Sequence, residues 1–164
     1  MTSAPLWTAV ALLCGCGGVS GVPVSLEIYA PGATALSDVD AYQVAVLKGA
    51  SVDCQTVEAT CLKSWSGYSS SALVSISGSD GKLKKALLIP NTIGGAGGNQ
   101  AIVVDGIPPG DNYAVVIEAV SKAHQFLGSY CGIQQHITAG SNSAGFVAQL
   151  TLLATPLACD PRIP

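Results

Sequence analysis

The sequence predicts an all-β protein: an antiparallel β-sandwich of about seven to eight strands, preceded by an N-terminal signal peptide. Three observations predict it. Apolar and polar residues alternate at a period of two in several short segments, as in Val22, Val24, Leu26 and Ile28. Clusters of Gly, Pro, Asn, Asp and Ser separate those segments at short intervals. Beyond the first apolar run no segment carries a convincing helical pattern.

Residues 1–15 read as the signal peptide, 16–21 as a tether and 22–164 as the sandwich domain. The apolar run 6–13 has the length of a signal-peptide core and is too short to span a bilayer. The series Leu13-Cys14-Gly15-Cys16 resembles a bacterial lipobox, with Leu three residues before the modified cysteine and a small residue directly before it. That resemblance implies lipidation of Cys16 and a membrane anchor through its acyl chains. Cys14 fits less well, because bulky Leu13 would stand beside the cut. Residues 1–5 hold no Lys or Arg, so the usual basic start of such a leader is missing. The alternative is a buried N-terminal strand or helix with incidental cysteines.

The strands follow in order. Residues 22–29 alternate cleanly, and Pro23, which lacks an N–H, marks them as an edge strand. Tyr42, Val44 and Val46 alternate with Gln43, Ala45 and Leu47 in a second strand, expected to form a hairpin with the first across a long connection. Residues 51–71 hold Cys54, Cys61, Trp65 and Tyr68 with little periodicity and read as a structured loop. Residues 71–77 and 82–89 flank the turn Gly78-Ser79-Asp80-Gly81 as a hairpin, in which Lys82, Lys84 and Lys85 form a solvated face that guards an edge. Residues 94–98, Gly-Gly-Ala-Gly-Gly, form a mobile loop. The stretch 101–120, AIVVDGIPPGDNYAVVIEAV, is the organising hairpin, with Pro108 and Pro109 between its strands and one face of the second strand more buried than the other. Residues 126–131, 134–138 and 146–153 supply the remaining strands, with a turn at 139–142. The tail 155–164, with Cys159 and three prolines, requires a staple to stay docked.

The central stretch also carries a family likeness. Val103-Val104-Asp105-Gly106-Ile107-Pro108-Pro109-Gly110, then Asn112-Tyr113 and an alternating strand, then Ile137-Thr138-Ala139-Gly140, resembles the carboxypeptidase regulatory-like, transthyretin-like (Ig-like) β-sandwiches. The likeness covers roughly the second half of the mature chain and implies an accessory module with no catalytic residues to carry over. A true immunoglobulin domain fits less well, since Cys61 and Trp65 are too close to play its inter-sheet cysteine and strand tryptophan unless Cys61 pairs with a distant partner such as Cys131.

Without Cys14 and Cys16, four cysteines remain: Cys54, Cys61, Cys131 and Cys159. An even number in an exported chain implies two disulfides with three connectivities. Cys54 with Cys61 and Cys131 with Cys159 is the favoured one, closing loops worth about 2.5 and about 3.5 kcal/mol. A zinc site is the other reading, but no C-x-x-C pair is present. His124 and His136 have no nucleophile motif beside them and read as surface residues. Asp38, Asp40 and Asp53 lack the glycine and bidentate Glu of a calcium loop and read as solvated acids. Residues 94–98 lack the Gly-Lys-Ser/Thr ending of a phosphate loop. No cofactor or metal is therefore expected. Trp65 and Tyr68 are the candidate ligand-binding residues, as the apolar floor of a sugar or protein contact, or alternatively as a lid over an open end of the sandwich.

With 7 basic and 10 acidic residues and a net charge of -3, the chain offers no basic field for nucleic acid. The reading that results is a non-enzymatic, lipid-anchored module of the bacterial cell envelope that binds a protein or a glycan. Gly17 rather than Asp after Cys16 points to the outer membrane, facing periplasm or medium. A structural envelope-assembly component and an exported hydrolase with an unrecognised site are the alternatives.

Overall fold

The computed structural model describes residues 21–29, 36–49, 51–93, 98–138 and 146–164. Among the described residues there are ten strands: β1 (Val22–Tyr29), β2 (Val39–Lys48), β3 (Ile76–Ser77), β4 (Leu83–Lys84), β5 (Leu87–Pro90), β6 (Asn99–Ile107), β7 (Gly110–Ser121), β8 (Phe126–Ile137), β9 (Phe146–Gln149) and β10 (Thr151–Leu157). They form two five-stranded sheets, β4-β3-β6-β1-β9 and β10-β8-β7-β2-β5. All pairings are antiparallel except β1 with β9. The chain is thus an all-β sandwich. Among the described residues, no helix is long and apolar enough to cross a membrane. The leader, Cys14, Cys16, the tether up to residue 20, residues 94–97 of the glycine-rich loop and the turn at 139–142 lie outside the described residues.

Inward residues of both sheets meet in the main core, where Leu26, Ile28, Val104 and Ile107 of the first sheet face Tyr42, Val44, Tyr113 and Ile117 of the second. The central strands of the second sheet are buried on both faces. Ala45, Leu47, Ala114 and Val116 point outward into a second apolar cluster with Val52, Val57, Leu62 and Leu73. Residues 51–73 therefore make a third layer, a cover over the outer face of that sheet. The expectation of one favoured face on β7 is corrected by this layer, since from Tyr113 to Ser121 every residue is buried.

The strands lie close to where the alternation places them, but several have different partners. The stretch 101–120 is not a hairpin: β6 pairs with β1 in one sheet and β7 with β2 and β8 in the other. Pro108 and Pro109 supply no N–H for a ladder, and Gly106 (φ 88°) and Gly110 (φ 147°) adopt backbone that L side chains avoid, so the chain turns a corner between sheets. Tyr113 braces that corner, its hydroxyl donating to Pro108 O at 2.6 Å. β1 and β2 likewise fall in different sheets, and β1 is interior rather than an edge. Pro23 is tolerated there because it sits at a bulge, where the register shifts between Val22 and Val24. The expected strand 82–89 splits into β4 and β5 of opposite sheets, and 146–153 splits at Leu150 into β9 and β10. The two segments expected within 126–138, by contrast, merge into the single strand β8, which ends at Ile137 and joins β7 in a long hairpin.

Candidate functional site

The cover begins with a short helix, α1 (Cys54–Ala59). Asp53 starts it: its carboxylate accepts from Thr56 N–H at 3.3 Å and from Thr56 Oγ1 at 2.6 Å, and those bonds hold the carboxyl below its ordinary range. Val57 turns down into the second cluster. The helix was not anticipated, because six residues are too few to display a helical period.

Two disulfides fasten the cover: Cys54–Cys131 to β8 and Cys61–Cys159 to the C-terminal tail. The pairing of Cys54 with Cys61 and Cys131 with Cys159 is thereby corrected. The physical reason is α1 itself, since its five residue steps at the helical rise carry Ala59 roughly 7.5 Å from Cys54 and the extended backbone at Cys61 leads farther on, beyond the roughly 7 Å that a disulfide spans. The observed links close loops over sequence separations of 77 and 98. In the chain-entropy model each removes about 4.5 kcal/mol of unfolded-state freedom, more than the local pairing would.

Trp65 and Tyr68 follow in consecutive tight turns, with Trp65 N–H donating to Leu62 O and Tyr68 N–H to Trp65 O. Both are half-buried against the second cluster. The indole lies over Gly67, where a Cβ would come within 2.3 Å of its ring. Each aromatic thus combines a packed side with an open one.

Beneath the cover lies a buried polar row that the sequence reading did not single out. Gln43, Glu118 and Ser129 stand directly opposite one another on β2, β7 and β8. Glu118 is fully buried; Leu62 N–H donates to its Oε1 at 2.7 Å and Gln43 Nε2 to its Oε2 at 2.9 Å. Burial pushes its carboxyl up to about 7, against the opposing pull of those two donors. Gln43 also grips the tail from both sides, donating to Pro161 O at 2.7 Å and accepting from Ile163 N–H at 2.6 Å. The Ser129 hydroxyl is buried and has no hydrogen-bond partner among the described residues. The signal for this row was a single charge inside Val115-Val116-Ile117-Glu118-Ala119-Val120, a run apolar on both faces.

The remaining candidates lie apart. His136 Nδ1 pairs with Asp111 at an exposed position, and His124 occupies the β7–β8 turn at φ 61°. Asp38 and Asp40 are exposed near the start of β2, away from the helix-capping Asp53. Lys84 pairs with Asp80, and Lys85 donates to Leu73 O at 2.8 Å. A cleft of about 600 Å³ opens beside Val52, Asp53, Asn112 and Ile133, and one of about 350 Å³ between β5 and β6. Leu88 and Val103, each about half exposed, line the second cleft, and Leu83, equally exposed, lies beside Gly106. Among the described residues, no cluster of three His, Cys, Asp or Glu side chains is arranged to hold a metal ion.

Fold and site together define an all-β sandwich with a disulfide-fastened cover. No protein-family model, curated protein or solved structure matches the chain.

Proposed function

We propose that this chain is an exported, non-enzymatic interaction module of the bacterial cell envelope, anchored through lipid on Cys16 and binding a protein or glycan through the cover at Trp65 and Tyr68. The observation that carries the reading is the pair of disulfides, because such crosslinks persist in oxidising compartments. They also fit a binding surface: a covalently fastened loop has less freedom to lose when a partner docks. Half-buried aromatics on such a loop offer contact area at few frozen torsions. The carboxypeptidase regulatory-like kinship is part of the proposal, supported by the sandwich and by the Pro108–Tyr113 brace at its corner.

Expression of the full chain in a bacterial host tests the anchor. The mature N-terminal peptide is expected to carry a diacylglyceryl mass on Cys16, and Cys16→Ser to release the domain from membranes or leave the precursor uncut. Unmodified Cys16 with unchanged fractionation would reject it. A glycan array and in-cell crosslinking then identify the partner class. The envelope-assembly reading draws on one further observation: the half-exposed Leu83, Leu88 and Val103 suit a protein surface better than a sugar.

A further inference from the structure

The two disulfides differ in what surrounds them. Ser64 Oγ lies 3.3 Å from Cys61 Sγ and 3.3 Å from Cys159 Sγ, so one hydroxyl touches both sulfurs of that link. The preceding residue, Lys63, reaches the tail, its ammonium donating to Arg162 O at 3.0 Å. The nearest acid in sequence, Asp160, is paired with Arg162, whose guanidinium holds its carboxyl far below the usual range, and the buried Glu118, which accepts from the N–H of Leu62 next to Cys61, is pushed by that burial toward its neutral form. Cys54–Cys131 has no such hydroxyl contact among the described residues. On α1 it carries Glu58 one turn from Cys54, a charge that opposes thiolate formation. A disulfide opens more readily when its departing sulfur is stabilised as thiolate, and a hydroxyl donor does this.

We propose that Cys61–Cys159 is a thiol-exchange site, opened by a dithiol reductant in preference to Cys54–Cys131, and that its opening turns the C-terminal tail from a closed strap into a loose end. Cys61 is fully buried and Cys159 half-exposed, so the entering thiolate attacks Cys159 Sγ. A sulfur–sulfur bond forms between reductant and Cys159 while the Cys61–Cys159 bond breaks. Its electron pair passes to Cys61 Sγ, beside the Ser64 hydroxyl, and this sulfur then takes a proton. The second thiol of the reductant attacks its own sulfur in the mixed disulfide and releases Cys159. In balance, the dithiol is oxidised to a disulfide and the protein gains two thiols. The tail then keeps its hydrogen bonds, Phe126 N–H to Cys159 O, Lys63 Nζ to Arg162 O and the Gln43 grip on Pro161 and Ile163, together with the packing of Ile163. The inference depends neither on the anchor at Cys16 nor on any partner.

The test uses the folded full chain and dithiothreitol, with iodoacetamide quench, peptide mapping and amide hydrogen exchange. Cys61 and Cys159 are expected to become alkylated roughly tenfold faster than Cys54 and Cys131. In the same step, exchange at the Ile163 amide should rise by about tenfold or more while Val104 in the main core stays protected. Opening of both links at one rate, opening of Cys54–Cys131 first, or an unchanged Ile163 amide after selective opening would overturn the proposal. Ser64→Ala should slow the opening several-fold, and an unchanged rate in that variant counts against the mechanism. The double variant Cys61→Ser, Cys159→Ser serves as a reductant-free check: Ile163 should exchange as it does in the reduced protein, and retained protection overturns the strap.

Discussion

Glu118 occupies a position that any apolar β-branched residue would fill, yet it is the residue on which cover and tail converge. Its two carboxyl oxygens satisfy an N–H of the cover and an amide of the sheet, and that amide in turn holds the tail. The folded-state carboxyl titrates near 7 against an ordinary 4.5, so the folded state binds this proton more tightly than the unfolded chain. Its stabilisation is complete below about pH 4.5 and is lost as pH rises through about 7, by up to about 3 kcal/mol. Urea unfolding at pH 5 and pH 8 should show that difference, and Glu118→Gln should flatten it. An equal pH slope in the variant would assign the effect to other groups. Trp65 poses a different question, because it is neither free nor enclosed. Trp65→Ala should remove roughly 1–2 kcal/mol, less than the 3–5 kcal/mol of a fully buried aromatic and more than a surface change. A loss outside that range, read from denaturant melts, would place the indole fully inside or fully outside the packing.

At the scale of elements, the alternation in β1 and the strand positions of β2 and β7 were legible because they are local patterns. Which sheet a strand joins was not, since the chain crosses between sheets at corners such as 107–110 that look like hairpin turns from composition alone. Pro23 misled for a related reason: a missing N–H marks an edge only when no bulge accommodates it. The site was half legible. Trp65 and Tyr68 stand out by residue type, whereas Gln43, Glu118 and Ser129 become one row only through the register of three strands. The disulfide partners were hidden by a helix too short to be read. Gly128 is the element-scale position with the sharpest consequence. It sits at φ 139°, and a Cβ there would stand 2.1 Å from Thr151 O on β10. Gly128→Ala should push β10 off β8 and cost about 2–4 kcal/mol, from backbone strain together with a clash that no side-chain rotation relieves. Hydrogen exchange should locate the loss in residues 151–157, and an unaffected β10 would refute the assignment.

For the molecule as a whole, the second sheet is a wall shared by two cores of unequal independence. The main core is closed by long strands from both sheets. The outer cluster is closed by a cover whose one α-helix spans six residues, too short to persist without packing and staples. The cover therefore borrows its order from two crosslinks, and cutting both should separate its unfolding from that of the sandwich. Trp65 is the sole tryptophan of residues 22–164, so its fluorescence reports the cover, while far-UV circular dichroism is dominated by the strands of both sheets. In the oxidised protein the two signals should lose structure at one urea concentration, as a single cooperative unit does. With all four of Cys54, Cys61, Cys131 and Cys159 changed to Ser, the fluorescence midpoint should fall below the dichroism midpoint by roughly 1 M urea, with a smaller slope because less surface is exposed in that step. Coincident transitions in the four-serine variant would mean that cover and sandwich fold as one body, and that the disulfides add stability without dividing the molecule.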